Sequence, residues 1–126
     1  MSEKRMTEEQ VAAYCLGLPG AREDYKWGGI RVFSVAGNKM FAIQRLNGDG
    51  LAFKVADELF LGYCDRPGIS PAPYLARAKW ISMARPYPMG REELSDLLRR
   101  SHQLVVRRLP KRLQVGMLLT GGDALL

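Results

Sequence analysis

Lysine and arginine recur on the segments that read as strands, and acids do not accompany them. Lys26, Arg31, Lys39, Arg45, Lys54 and Lys79 fall on such segments, with no Asp or Glu among them. Cations on an open sheet face can neutralise phosphates and release counterions, the dominant non-specific term in DNA binding. Lysines on exposed strands also guard against edge pairing. In the segment Leu51 to Val55, alternation sets Lys54 against Leu51, Phe53 and Val55, so Lys54 is expected to point away from the core. Lys39 and Arg45 are separated by an even count and share a face in an unbulged strand.

A second basic group lies near the C-terminus. No acid occurs between Asp96 and Asp123, whereas Arg99, Arg100, Arg107, Arg108, Lys111 and Arg112 all do. On a helix beginning at Arg91, Leu94, Leu97, Leu98, Ser101 and Val105 form the apolar stripe, and Arg99, Arg100 and Arg107 fall on the other side. Glu92, Glu93 and Asp96 begin that helix and Arg107 and Arg108 end it, the order a helix dipole favours. Asp96 can pair with Arg100 one turn on. Part of the basic run therefore has a purely structural explanation. Between the two groups, Tyr74, Arg77, Lys79, Trp80, Arg85 and Tyr87 interleave aromatics with cations, a composition that can stack unpaired nucleotides or simply fill a core.

Signals of catalysis are lacking. The chain has no phosphate-binding glycine loop ending in Lys-Ser or Lys-Thr, no dinucleotide fingerprint, no His-Glu-x-x-His and no nucleophile elbow. His102, the single histidine, flanks the core stripe and reads as a packing residue. Ser101 points about 100° away from it, which does not make a Ser–His dyad. Glu23-Asp24 reads as a solvated turn. Cys15 and Cys64 read as two small buried thiols, and two cysteines with one histidine make no zinc spacing. We expect no enzymatic activity, no cofactor and no metal.

Periodicity and turn chemistry define the elements that would position these residues. Thr7 precedes Glu8-Glu9-Gln10, a capping-box start for a helix that stops at Leu18-Pro19-Gly20. Strands are expected at Tyr25–Trp27, Arg31–Val35, Lys39–Leu46 and Leu51–Val55, joined by tight turns into an antiparallel meander. The tips at Gly37-Asn38 and Asn47-Gly48-Asp49-Gly50 can approach a ligand backbone closely. A helix over Asp57–Asp65 comes next. Three prolines between Arg66 and Pro73 forbid regular structure beyond a short turn. One helical turn at Tyr74–Arg77, a last strand at Lys79–Ala84 and a long helix at Arg91–Arg108 complete the order. The class is α+β: a single antiparallel sheet of four or five strands with helices on one face, in the order α-β-β-β-α-β-α.

With 126 residues, the chain fits one domain spanning 1–126, with 1–6 and 119–126 as tails. Thirteen arginines and six lysines against 13 acids give a net charge of +6, which permits polyanion binding without requiring it. No stretch approaches the roughly 18 consecutive apolar residues of a membrane span, and a polar N-terminus suggests a cytoplasmic protein.

Several segments together resemble one family of small bacterial proteins. They are Cys15-Leu-Gly-Leu-Pro-Gly-Ala21, Trp27, Gly37-Asn-Lys-Met-Phe-Ala42, Leu51-Ala-Phe-Lys54, Tyr74-Leu-Ala-Arg-Ala-Lys-Trp80, and Ser101 with Leu109-Pro110-Lys111. The ordered set is similar to the MmcQ/YjbR family over roughly residues 7 to 112. The resemblance implies a frataxin-like or secretion-chaperone-like α/β fold and a DNA-binding label with a double-wing arrangement. It brings no catalytic or ligand residues to transfer. Where that family often has His before the last-strand Trp, this chain has Lys79, which favours a phosphate contact.

The expectation is thus a small protein that contacts nucleic acid, double-stranded DNA above all, through Lys39, Arg45, Lys54, Arg77, Lys79, Arg85, Arg99, Arg100 and Arg107. The alternative is a protein-interaction module that pairs with itself as a homodimer, or with a peptide, through the open sheet face. A cationic, solvent-facing sheet favours the first and an apolar sheet face the second.

Overall fold

A computed structural model describes residues 4–26, 28–46 and 50–119. Trp27, the tip residues Asn47, Gly48 and Asp49, and the ends of the chain lie outside the described residues.

Helix α1 (Glu8–Leu16) starts as its sequence requires. The Thr7 hydroxyl accepts from the Gln10 backbone N–H, and the Gln10 side chain accepts from the Thr7 N–H. Six strands come after it: β1 (Arg22–Lys26), β2 (Ile30–Val35), β3 (Lys39–Arg45), β4 (Gly50–Lys54), β5 (Ile69–Pro71) and β6 (Trp80–Ala84). They form one antiparallel sheet in the order β1-β2-β3-β4-β6-β5. A short helix α2 (Phe60–Cys64) precedes β5, and α3 (Arg91–Val106) and α4 (Lys111–Gln114) end the chain.

The helices lie on one face, as expected. Val11, Ala12 and Cys15 of α1, Phe60 of α2 and Leu94, Leu97 and Leu98 of α3 share a core with Phe33, Phe53, Ile81 and Met83 of the sheet. Phe33 and Phe53 stand in register with Ala42 and Ile81, which defines the helix-facing side. The opposite face carries Ile30, Val32, Ile43, Ala52 and Ser82. The loop from Ala72 to Lys79 borders one end of it.

Four expectations change. Strand β1 begins at Arg22, so Glu23 and Asp24 are strand residues rather than a turn, and the sheet is not free of acids. Strand β5 was not expected. Pro71 has no N–H to give, and an outer strand is where a ladder tolerates that loss. The stretch 4–6, expected as a tail, is packed: Met6 is buried, the Arg5 guanidinium donates to the Tyr87 carbonyl, and the Lys4 carbonyl accepts from the Arg91 N–H. Leu119 is likewise held, its N–H donating to the Gln103 side chain at 2.9 Å. Cys64 is only half-buried, while Cys15 is fully enclosed and burial pushes its thiol up to about 12.

A bulge in β3 decides which face each of its cations takes. Phe33 is in register with Ala42, but Ser34 is in register with Met40. Phe41 is the extra residue, and both Phe41 and Ala42 enter the core. The bulge reverses alternation across β3. Lys39, paired with Val35, starts on the helix-facing side, and Arg45, paired with Ile30, ends on the other. The shared face expected for these two cations does not form.

Candidate nucleic-acid interface

The C-terminal end of α3 meets one end of the sheet. The start of β3, the end of β4 and the start of β6 come together there. Lys39, Lys54 and Arg108 line a cleft of about 340 Å³ with an apolar lining of Met40, Leu75, Ala78, Trp80, Val105 and Leu109. No lining residue is acidic. Lys39 and Arg108 are exposed, and Arg77 and Lys79 are the chain neighbours of the lining residue Ala78.

Lys54 is not the solvent-facing cation that alternation suggested. It is 6% exposed, and its ammonium donates to the Ala78 carbonyl. Its side chain does leave the core face, but the Ala72–Lys79 loop and the end of α3 enclose it. Burial lowers its pKa, the Arg108 and Lys79 charges lower it further, and Asp57 opposes them. A buried ammonium among like charges gains most from an anion brought to it. Lys79, half-buried, lies over the Phe60 ring at 5.3 Å, and its left-handed backbone (φ 65°) turns the chain into β6.

The other expected residues divide by what holds them. Asp96 takes both Arg99, at 2.7 Å, and Arg100, at 2.8 Å. Burial works against the charged Asp96 carboxylate, but these two partners hold its pKa below the usual value. Arg85 is paired with Glu8 at 3.4 Å and sits at the far end of β6 from Lys79. Arg107 is exposed beside Arg108. Arg45 is exposed at the other end of β3 from Lys39, its stem packed beside Gly50. Among the described residues, Lys39, Arg45, Lys54, Arg77, Lys79 and Arg108 have no ion pair with a carboxylate.

His102 is wholly buried rather than flanking. Its Nε2–H donates to the Pro19 carbonyl at 2.7 Å and its Nδ1 accepts from the Gln103 amide at 2.9 Å. Burial lowers its pKa, and the Pro19 carbonyl opposes this. Among the described residues no group of three His, Cys, Asp or Glu could hold a metal, and no helix is long and apolar enough to cross a membrane.

Comparison with known proteins bears on this arrangement. Residues 16–104 match the family model YjbR. The chain belongs to the YjbR family. Among solved structures, a Deinococcus radiodurans protein with a DUF419 domain is 23% identical, with a TM-score of 0.81 over 94% of this chain and 91% of that one. A Pseudomonas syringae protein is 26% identical, with a TM-score of 0.66 over 79% of this chain and 99% of that one. No curated protein matches. The Deinococcus likeness establishes the YjbR fold across nearly the whole chain and leaves the site to its own geometry.

Arg108 is the cleft-lining cation of this YjbR chain that sequence reasoning left out of its candidate residues. Its position at the end of α3 has a sufficient explanation in the helix dipole. Only the fold brings that end against Lys54.

Proposed function

We propose that this protein is a non-enzymatic nucleic-acid-binding protein that grips phosphates at the sheet end where α3 terminates. One observation carries the reading: Lys39 of β3, Lys54 of β4 and Arg108 just past α3 converge on a single cleft whose lining holds no carboxylate. Arg77 and Lys79 adjoin the lining residue Ala78 in the chain, whereas Arg85, Arg99 and Arg100 are engaged in ion pairs and fall outside the cleft. The family label inferred from the resemblance points the same way. Phosphate contacts position a ligand without reading bases, so weak sequence preference is expected.

The test is the salt dependence of binding to labelled oligonucleotides, measured by fluorescence anisotropy. Each neutralised phosphate contributes about 0.7 to 0.9 to the slope of log K against log salt. Lys39→Ala with Arg108→Ala should therefore lower that slope by about 1.5 and weaken binding at every sequence tried. No binding at low salt, or a slope unchanged by the double substitution, overturns the proposal.

A further inference from the structure

The sheet face away from the helices carries mainly apolar residues, which of itself favours the protein-interaction alternative over a phosphate platform. Ile30, Met40 and Ile43 line a second cleft of about 510 Å³, with Pro73, Tyr74 and Leu75 on its loop side and Arg45 as its one charge. Tyr74 is fully exposed (102%) and holds a left-handed backbone with φ 66°. A bulky residue in that region is an outlier that its surroundings must enforce. They do so here through a ring of bonds: Leu75 N–H to the Ala72 carbonyl, Trp80 N–H to the Leu75 carbonyl, and Ala72 N–H to the Trp80 carbonyl. The phenol is thus presented to solvent by a built framework.

Met40 and Leu75 line both clefts, so the two are neighbours. An occupant of both needs anionic groups for Lys39, Lys54 and Arg108 and a flat apolar face for the second cleft. A nucleic-acid single strand has that alternation, since its phosphates and base faces are both accessible. A duplex hides its base faces in the stack. No residue lining either cleft is acidic. A second copy of the chain laid on these surfaces would find no carboxylate there to meet its own cations.

We infer that the second cleft receives an unpaired nucleobase stacked on Tyr74, with Arg45 at a flanking phosphate of the same strand. This rests on the proposed phosphate grip and goes beyond it by naming an unpaired strand as the ligand. Base–aromatic stacking is sequence-tolerant because every base has a π-face.

The experiment compares a labelled oligodeoxythymidylate with a labelled duplex of equal length at one salt concentration. The single strand should bind more tightly. Tyr74→Ala should weaken the single strand by about fivefold to a hundredfold and leave the duplex unchanged, while Tyr74→Phe keeps the preference. Tyr74 touches no core, so an unaltered thermal melt will accompany both variants. Equal binding of the two oligonucleotides, untouched by Tyr74→Ala but weakened by Lys39→Ala with Arg108→Ala, overturns this inference and leaves the phosphate grip standing. Failure of every oligonucleotide to bind overturns both. A dimer in sedimentation that Tyr74→Ala dissociates assigns the face to self-pairing and likewise overturns the inference.

Discussion

At Lys54 the demands of packing and of charge conflict. Its stem is enclosed, its ammonium donates to one carbonyl, and two like charges press on it. Replacing it with methionine keeps the stem and removes the charge. Lys54→Met should leave the melting temperature unchanged or higher and lower the salt slope of binding by about 0.7 to 0.9. A strongly destabilised variant, read by thermal melting, would mean that the ammonium holds the Ala72–Lys79 loop in place instead. His102 poses a different problem. Its neutral ring uses both nitrogens and meets Phe41 edge-on at 5.1 Å, and a proton on Nδ1 would face the Gln103 amide that now donates to it. Its folded pKa lies below the unfolded value of about 6.5. The unfolded chain therefore takes up the proton first as pH falls. The His102 contribution is complete above about pH 6.5 and is lost as pH drops through the folded pKa. Urea midpoints measured from about pH 7 down to about pH 5 should fall, and fall less steeply in His102→Gln, although that variant starts lower. Equal slopes in the two proteins would show that other groups carry the pH dependence.

At the scale of elements, the bulge in β3 decides most of the site. The β3–β4 register pairs Ala42 with Phe53, and Phe41 with Lys54 would come next. The bulge draws Phe41 out of that ladder. Ser101 of α3 fills the gap: its hydroxyl donates to the Phe41 carbonyl at 2.6 Å and accepts the Lys54 N–H at 3.0 Å. Ser101→Ala should cost about 1–3 kcal/mol in urea denaturation, because it strands two buried backbone groups. A change below about 0.5 kcal/mol would mean that the strands re-pair without the hydroxyl. Alternation in sequence could place Leu51, Phe53 and Lys54 on their proper sides, and the capping box fixed the start of α1. A bulge has no such local signature, so the side taken by Lys39 was not legible. The outer strand β5 was hidden by Pro71 and by the prolines on either side of it. The ion pairing of Arg100 with Asp96 was readable from i,i+4 spacing, and the fork that also captures Arg99 needed the folded helix.

For the whole molecule, position rather than net charge should govern binding. The charge of +6 is spread over both ends of the fold. Arg91 begins α3 and Arg108 lies just past its end, roughly 25 Å away at 1.5 Å per residue. Lys4 is exposed and its carbonyl accepts from the Arg91 N–H, so it sits at that same far end. Lys4→Ala with Arg91→Ala therefore removes as much charge as Lys39→Ala with Arg108→Ala, but away from the proposed cleft. If ligand phosphates sit at the α3 terminus, only the second pair should lower the salt slope by about 1.5, because counterions are released only where phosphates are neutralised. The first pair should slow association modestly at low salt and leave the slope almost intact, since long-range attraction is screened beyond about 10 Å at 0.1 M salt. Matched slopes in the two double variants, measured by anisotropy across a salt series, would reduce the interaction to bulk attraction by a basic protein and remove the reason to assign it to this cleft.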